Sequence, residues 1–155
     1  MGTTTFEAVR TTQLSLVEGL TPTVLANVKF LRHREEQDFR DWCVENTQAA
    51  FRRFSIVDQF DYEPPMISNA DQEFVEGREE VTISYPEDFR YGGDNLSDLR
   101  DLIRSDQYLI DNSLGHRGTG NYTDAHAVLE GAALEDSDGI VFLSLVYIFR
   151  FYRSV

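Results

Sequence analysis

The side chains that most often carry chemistry are sparse in this sequence. The three histidines, His33, His116 and His126, are far apart, and no cysteine or carboxylate stands at a metal-ligand spacing typical of a closed site. His33 and Glu36 would share one face of a helix, but an exposed charged cluster explains that pair more simply than a metal centre does. We therefore predict no metal site.

Two further motifs are also better explained by structure than by chemistry. The glycine-rich stretch 115–120 follows a predicted helix and has no lysine, which favours a turn over a phosphate-binding loop. Cys43 stands beside Trp42 in a predicted helix, and no histidine near it forms a catalytic pattern, so we interpret it as core filling. Pairs of carboxylates are expected by chance among 27 acids. We predict that the chain is not an enzyme and binds no cofactor.

Acidic residues dominate the charge of the chain and are concentrated in one segment. The net charge is −13, which argues against tight binding to DNA or RNA. Residues 58–80 contain eight acids and one base, a balance of −7. This segment is either a solvated loop and strand face or a surface that repels an anion. Its candidate lumen or interface residues, with the two prolines of its loop, are Pro64, Pro65, Asp71, Glu73, Glu76, Glu79 and Glu80.

Two consecutive arginines, Arg52 and Arg53, are flanked by Phe51 and Phe54. Neighbouring residues of a strand point to opposite faces, so one arginine must face the interior or a helix. Such a guanidinium needs a carboxylate or carbonyl partner. We expect a structural ion pair, with a contact between subunits as the alternative.

Length and composition favour one folded domain that spans residues 1–155. The chain is long enough to bury a substantial core, and 41% of its residues are hydrophobic. No apolar run approaches a membrane span, and none resembles a signal peptide. A single cysteine suits a reducing compartment. We expect no membrane contact.

The first half of the chain predicts a helix, a strand, a short helix and a long strand pair. Residues 4–18 have helical apolar spacing, with Gly19 as a stop. Residues 23–31 alternate as a strand, and residues 35–46 form a short helix. Strands at 51–57 and 73–85 pair across a loop of roughly fifteen residues. In the second strand, Gly77 suggests a bulge or a bend. We predict that its inward residues are Val75, Val81, Ile83 and Tyr85, and that its outward residues are Glu76, Arg78, Glu80, Thr82 and Ser84.

The second half predicts a long helix and a closing hairpin. The apolar stripe of residues 96–114 is typical of a helix that packs on a sheet. Strands at 122–134 and 140–153 follow, separated by the turn dipeptide Asp138-Gly139. The last strand is apolar on both faces and must be covered on both. We expect buried side chains at Leu99, Leu102, Ile103, Leu143, Leu145 and Tyr147.

These elements predict an α+β fold. It consists of a mostly antiparallel sheet of about four or five strands, flanked by two main helices and one short helix. The order of the elements resembles that of the tail terminator, or tail-completion, proteins of long-tailed bacteriophages and tail-like particles. The resemblance rests on the helix at 6–20, the strand pair 51–57 and 73–85, the helix at 96–114 and the closing strand 140–153.

The resemblance implies a structural virion protein of the tail or neck, made in the host cytoplasm. It implies a homohexameric ring that caps the tail tube and joins the tail to the head-proximal connector. Its partners would be the tail tube protein and a head-completion or connector protein, and DNA would pass through the ring without tight binding. Two alternatives remain open: an acidic protein–protein adaptor with no viral role, and a small enzyme of the ferredoxin-like type.

Overall fold

The computed structural model describes residues 5–59, 66–67, 72–88, 96–115, 121–122 and 125–154. It has an α+β fold with a mixed, mostly antiparallel sheet, as the sequence predicts. The helices are α1 (Phe6–Glu18), α2 (Phe39–Glu45) and α3 (Leu96–Leu114), with a 3-10 turn at Thr47–Ala49. The strands are β1 (Leu31–Arg32), β2 (Arg53–Gln59), β3 (Met66–Ile67), β4 (Gln72–Pro86), β5 (Asn121–Tyr122), β6 (Ala125–Ser137) and β7 (Ile140–Ser154).

Four long strands, in the order β2-β4-β7-β6, make up most of the sheet. All three pairings among them are antiparallel. Strands β4 and β7 are paired along their full lengths, from Gln72 opposite Ser154 to Pro86 opposite Ile140. The short strands lie at the margins, where β1 is parallel to β2 and β5 pairs with the start of β6. The sheet is therefore built around the β4–β7 pair.

The turn between β6 and β7 is the one that the sequence predicts. Asp138 and Gly139 have φ values of 51° and 85°. Two central residues with positive φ are characteristic of the type I′ hairpin turn, which matches the twist of antiparallel strands. Aspartate and glycine tolerate that conformation better than most residues. This dipeptide thus helps to fix the register of the closing hairpin.

Helices α1 and α3 cover the first face of the sheet, where the main core lies. Helix α3 contributes Leu99, Leu102 and Ile103, each no more than 3% exposed. The sheet contributes the other three residues predicted for the core, Leu143, Leu145 and Tyr147, which are at most 1% exposed. The four inward residues predicted for β4, Val75, Val81, Ile83 and Tyr85, are also buried. The prediction of the core is confirmed.

Helix α2 covers only one end of the second face. Phe39 and Cys43 of this helix form a second small core with Ile140 and Phe142 of β7. Thr82 and Ser84 do lie on the outward face of β4, but α2 and the turn after it leave them 5% and 0% exposed. Farther along β7, Val146 and Ile148 are only half-buried. The apolar second face of β7 is thus covered at one end alone by the described residues.

The strand predicted at residues 23–31 is wrong except at its end. Only Leu31 and Arg32 form a strand, and residues 23–28 form turns. Three carbonyls of these turns, from Val24, Leu25 and Val28, accept hydrogen bonds from the Arg52 guanidinium. The segment therefore curves around a buried cation. From this loop, Phe30 is buried in the main core, and Val24 and Leu25 pack against it.

The bulge predicted at Gly77 is also wrong. The register of β4 is unbroken there, with Gly77 directly opposite Phe149. A Cβ atom at this position would lie 2.8 Å from the Phe149 ring. Glycine is needed because the aromatic ring occupies the space above it. The irregularity of the sheet lies instead in β6, between Leu129 and Gly131.

Candidate functional site

Two charged residues of the described chain, Arg52 and Asp106, are each 0% exposed. The Arg52 guanidinium lies at the centre of this cluster. Its Nε and Nη2 atoms donate to the two carboxylate oxygens of Asp106 on α3, at 2.8 and 2.9 Å. The same guanidinium donates to the carbonyls of residues 24, 25 and 28 at 2.5–2.8 Å. This bidentate pair confirms the predicted structural role of Arg52. It also excludes Arg52 as a surface contact in this fold.

Asp106 receives a further hydrogen bond, from the Tyr85 hydroxyl at 2.8 Å. Burial and the negative charge of Asp106 raise the pKa of Tyr85, so the phenol stays neutral and acts as a donor. One turn farther along α3, Asp111 accepts a hydrogen bond from the Tyr147 hydroxyl at 2.5 Å. Both aspartates therefore attach α3 to the sheet. We interpret this polar cluster as structural.

Arg53 behaves differently from its neighbour. Its guanidinium carbon lies 4.2 Å from the centre of the Trp42 ring, which is a cation–π geometry. The residue is half-buried between β2 and α2. Arg53 thus joins helix α2 to the edge of the sheet. The structure places the two arginines in separate environments.

Glu79 is buried on the first face, at 1% exposure, so the expectation of an exposed Glu79 is wrong. Its Oε1 atom accepts a hydrogen bond from the Gln13 side chain of α1, which is itself 0% exposed. No described residue donates to its second carboxylate oxygen. Strand alternation explains the placement, because Glu79 falls in the same row as Val81 and Ile83. Glu79 therefore lies beneath α1 and cannot line an exposed surface.

The surroundings of Glu79 disfavour its charge. Desolvation is the largest effect and raises its pKa to about 8, with a smaller upward contribution from Asp58. The hydrogen bond from Gln13 and the charge of Arg10 act in the opposite direction. At pH 7 the carboxyl group is thus mostly protonated. One of the eight acids in the 58–80 segment contributes little negative charge.

Glu76 and Glu80 lie on the second face, as predicted, and both have polar partners. Glu76 accepts a hydrogen bond from Arg150 Nε at 2.9 Å. Glu80 accepts hydrogen bonds from the hydroxyls of Thr82 and Ser144 at 3.1 and 3.2 Å, and lies 3.8 Å from Arg40. The negative charge of this part of the segment is therefore partly balanced.

We define the open face as the part of the second face that α2 leaves uncovered. Its apolar strip consists of Val128, Val146 and Ile148 on β6 and β7, and Val57 on β2 lies beyond it, on the other side of Glu80. Ion pairs flank the strip, among them Arg78 with Glu130 at 3.0 Å and Arg150 with Glu76 at 2.9 Å. Its charged groups are Glu76, Glu80, Glu130 and Glu135 with Arg40, Arg78 and Arg150, a balance of −1. An apolar centre with a charged rim is the usual anatomy of a protein interface.

A cleft of about 210 Å³ lies where the open face meets α2. Its lining combines hydroxyl, apolar and charged groups from both sides: Asp38, Phe39, Arg40, Ser55, Val57, Glu80 and Thr82. Within the cleft the Thr82 hydroxyl donates to the Glu80 carboxylate at 3.1 Å, and Arg40 lies 3.8 Å from the same carboxylate. This mixture of groups could receive a side chain of a docked protein.

Several candidates from the sequence are not brought into a site. Asp71, Pro64, Pro65 and His116 lie outside the described residues, and the side chain of Glu73 does too. His33 packs its ring against Phe39 and Trp42 and donates from Nε2 to the Gln37 carbonyl at 2.8 Å. Cys43 is fully buried, and desolvation raises the pKa of its thiol. Both groups have structural roles here.

Sequence reasoning missed the polar residues that fix the two main helices. Gln13 stands between Val9 and Val17 in the buried row of α1, and Asp106 stands between Ile103 and Ile110 in that of α3. Each residue follows the helical spacing of its apolar stripe. A single polar residue inside such a stripe was the available signal.

No group of histidine, cysteine or acidic residues in the described ranges is arranged to hold a metal ion. Among those same residues, no helix has the length and apolar character needed to cross a membrane. The sequence matches no protein-family model, and no curated protein matches it significantly. The fold, the buried polar contacts and the open face therefore carry the functional argument.

The buried Glu79 predicts a stability that falls as pH rises. Between about pH 4.5 and pH 8 the native carboxyl group holds a proton that the unfolded chain releases. Within that window the free energy of unfolding should decrease by about 1.4 kcal/mol per pH unit from this group. Glu79→Gln keeps a hydrogen-bonding partner for Gln13 and should abolish this part of the slope. Urea unfolding at a series of pH values measures how the free energy of unfolding changes with pH in each protein.

Glu76→Gln is the matched control, because it changes a carboxylate of the same strand on the opposite face. We expect this variant to keep the wild-type slope. A Glu79→Gln protein whose stability falls with pH as steeply as the wild type does would contradict the buried, protonated state of Glu79.

Proposed function

We propose that this chain is the structural subunit of a tail terminator ring. Six copies would cap the tail tube of a bacteriophage or tail-like particle and join it to the head-proximal connector. DNA would pass through the lumen without tight binding. The subunit would contact the tail tube protein and a connector protein, would act in the virion neck after synthesis in the host cytoplasm, and would catalyse no reaction.

The observation that carries this proposal is the open face. Val146 and Ile148 of β7 are half-buried, and no described element packs over them. A strand that is apolar on both sides is normally covered on both. Here the second cover is incomplete, and ion pairs surround the uncovered strip. In our account a neighbouring protein subunit packs on the apolar strip, while the charged groups beside it face the lumen.

The order of the elements gives independent support. An amphipathic helix precedes a strand pair with a long connection, α3 follows, and a closing hairpin ends in aromatic and basic residues. This order is the basis of the resemblance to tail terminators. The acid excess fits the same role, because a ring around DNA must not retain phosphate groups.

The mass of the native particle tests the proposal. We expect purified protein to pass from monomer to hexamer as its concentration rises, with no stable dimer, measured by analytical ultracentrifugation and native mass spectrometry. A cyclic assembly closes at a defined number of copies. A protein that stays monomeric or forms a closed dimer at every concentration would instead support the acidic adaptor.

A second test examines whether the charged groups beside the apolar strip of the open face line the lumen. Glu76→Lys combined with Glu130→Lys changes the balance of this face from −1 to +3 by reversing two exposed charges. Exposed ion pairs contribute little to stability, so the variant should fold. The assembled ring should then retain DNA at low salt about tenfold better than the wild type and release it as salt increases.

Glu7→Lys combined with Asp101→Lys is the matched control for that experiment. Both residues are exposed, Glu7 on α1 and Asp101 on α3, and these two helices cover the other face of the sheet. Two acids are again reversed, so the change in net charge is the same. We expect this ring to gain much less affinity for DNA. Equal gains for both variants would show that the open face does not line the path of DNA.

A further inference from the structure

The outer edge of β2 is only partly paired. The amides of Leu31 and His33 donate to the carbonyls of Arg52 and Phe54, each at 2.8 Å. Backbone groups of alternate residues point to the same edge of a strand, so those of Ile56 and Asp58 point outward as well. No described strand pairs with β2 beyond Phe54. Within the part of the chain that the structure describes, residues 55–59 therefore have an unpaired outer edge.

The opposite edge of the sheet also has no strand partner over most of its length among the described residues. Strand β5 pairs with β6 only at Ala125 and His126. No described strand lies outside residues 127–137 of β6. Long unpaired edges promote pairing with another chain, and proteins usually block them with prolines, bulges or charges. The bulge and the three acids of β6 limit random pairing but leave most of this edge available.

The directions of the strands allow these two edges to pair with each other. The order β2-β4-β7-β6 alternates in direction, since each of the three pairings is antiparallel. An even number of alternating strands places β2 and β6 in opposite directions. A second copy, related by rotation about an axis that is tilted to the strands, would thus place its β2 antiparallel to β6 of the first, and the tilt allows β6 to be displaced along β2. The alternation then continues across the junction.

We propose that the β2 edge of each copy pairs with the β6 edge of the next copy, so that one antiparallel sheet runs around the ring. This inference rests on the proposed function and specifies how its subunits join. The junction is heterologous, because two different edges meet, and such a contact forms a ring when the rotation closes.

Strand β1 limits the register of this junction. It occupies the position beside Arg53 and Phe54, so an incoming β6 has room only from Ser55 onward. In the strand register, Val57 lies opposite Glu80, Glu80 opposite Val146, and Val146 opposite Gly131. These four residues therefore lie at one level of the sheet. The neighbouring copy's β6 can be displaced along β2 until its hairpin turn no longer overlaps β1. This displacement places Glu135 opposite Val57. Ala133 lies midway and on the same face as Val57, so it is near Val57 across this range.

Charge and apolar exposure are complementary between the two edges. Residues 127–139 contain four acids and no base, of which Glu130 and Glu135 pair with Arg78 and Arg40 of the same copy. Residues 29–34 beside the other edge contain three bases and no acid, and Arg32 and Arg34 share Glu18 as their partner, so the balance that remains is −2 against +2. Glu35 and Glu36 follow that basic segment but lie beyond β1. Three of the large apolar side chains exposed in the described chain are at these edges: Leu31 at 51%, Val57 at 57% and Leu134 at 53%. The two edges therefore suit each other rather than copies of themselves.

Cysteine cross-linking tests the junction. A chain carrying both Val57→Cys and Ala133→Cys should form a ladder of covalent multimers, up to the hexamer, with a short thiol-reactive linker. Each single variant should form none, because a heterologous junction does not bring a residue close to its own copy. The natural Cys43 is fully buried and can remain in place.

Val57→Cys combined with Ala132→Cys is the matched control. Ala132 is exposed like Ala133 but lies opposite Leu145, on the other face of the sheet. We expect about tenfold less cross-linking from this pair. Equal ladders from both pairs, or no ladder in a preparation that sedimentation shows to be hexameric, would overturn the junction and leave the ring intact. A protein that forms no hexamer at any concentration would contradict both the junction and the proposed ring.

Discussion

The buried pair of Arg52 and Asp106 is the contact on which the rest of the fold depends. One guanidinium binds the turns at residues 24–28 through three carbonyls and binds α3 through a carboxylate. Asp106 in turn accepts from Tyr85 of β4. The turns at residues 24–28, helix α3 and strand β4 are thus all joined by hydrogen bonds to this ion pair. Removal of one partner leaves the other charge buried and uncompensated. The free energy of unfolding then typically decreases by about 3–5 kcal/mol.

This contact also explains which parts of the fold could be predicted from the sequence. Strands β4 and β7 and helix α3 follow their apolar periods, and their buried residues were predictable from alternation or helical spacing. Residues 23–31 alternate equally well, yet they form turns, because their carbonyls bind Arg52. A local pattern does not reveal a partner 24 residues away in the chain. Long-range polar contacts therefore determine the backbone conformation of this segment.

The candidate site shows the same limit. Alternation placed Glu76 and Glu80 correctly on the second face, but Glu79 lies among the buried residues of the first. Strand alternation assigns Glu79 to that face, but no local pattern shows that Gln13 of α1 lies against its carboxyl group. The charge of residues 58–80 is therefore smaller than a count of acids suggests. What distinguishes the molecule is a sheet with one half-covered face and two partly unpaired edges, a surface suited to assembly.

The most direct test of that account measures hydrogen exchange at the β2 edge. The amides of Ile56 and Asp58 point outward, whereas the amide of Val57 points toward β4. Our account predicts that the Ile56 and Asp58 amides exchange rapidly in the dilute monomer and at least about tenfold more slowly after assembly. The Val57 amide should be protected in both states. Ile56 and Asp58 amides that exchange equally fast in the monomer and in the assembled particle would contradict a sheet that is completed between copies.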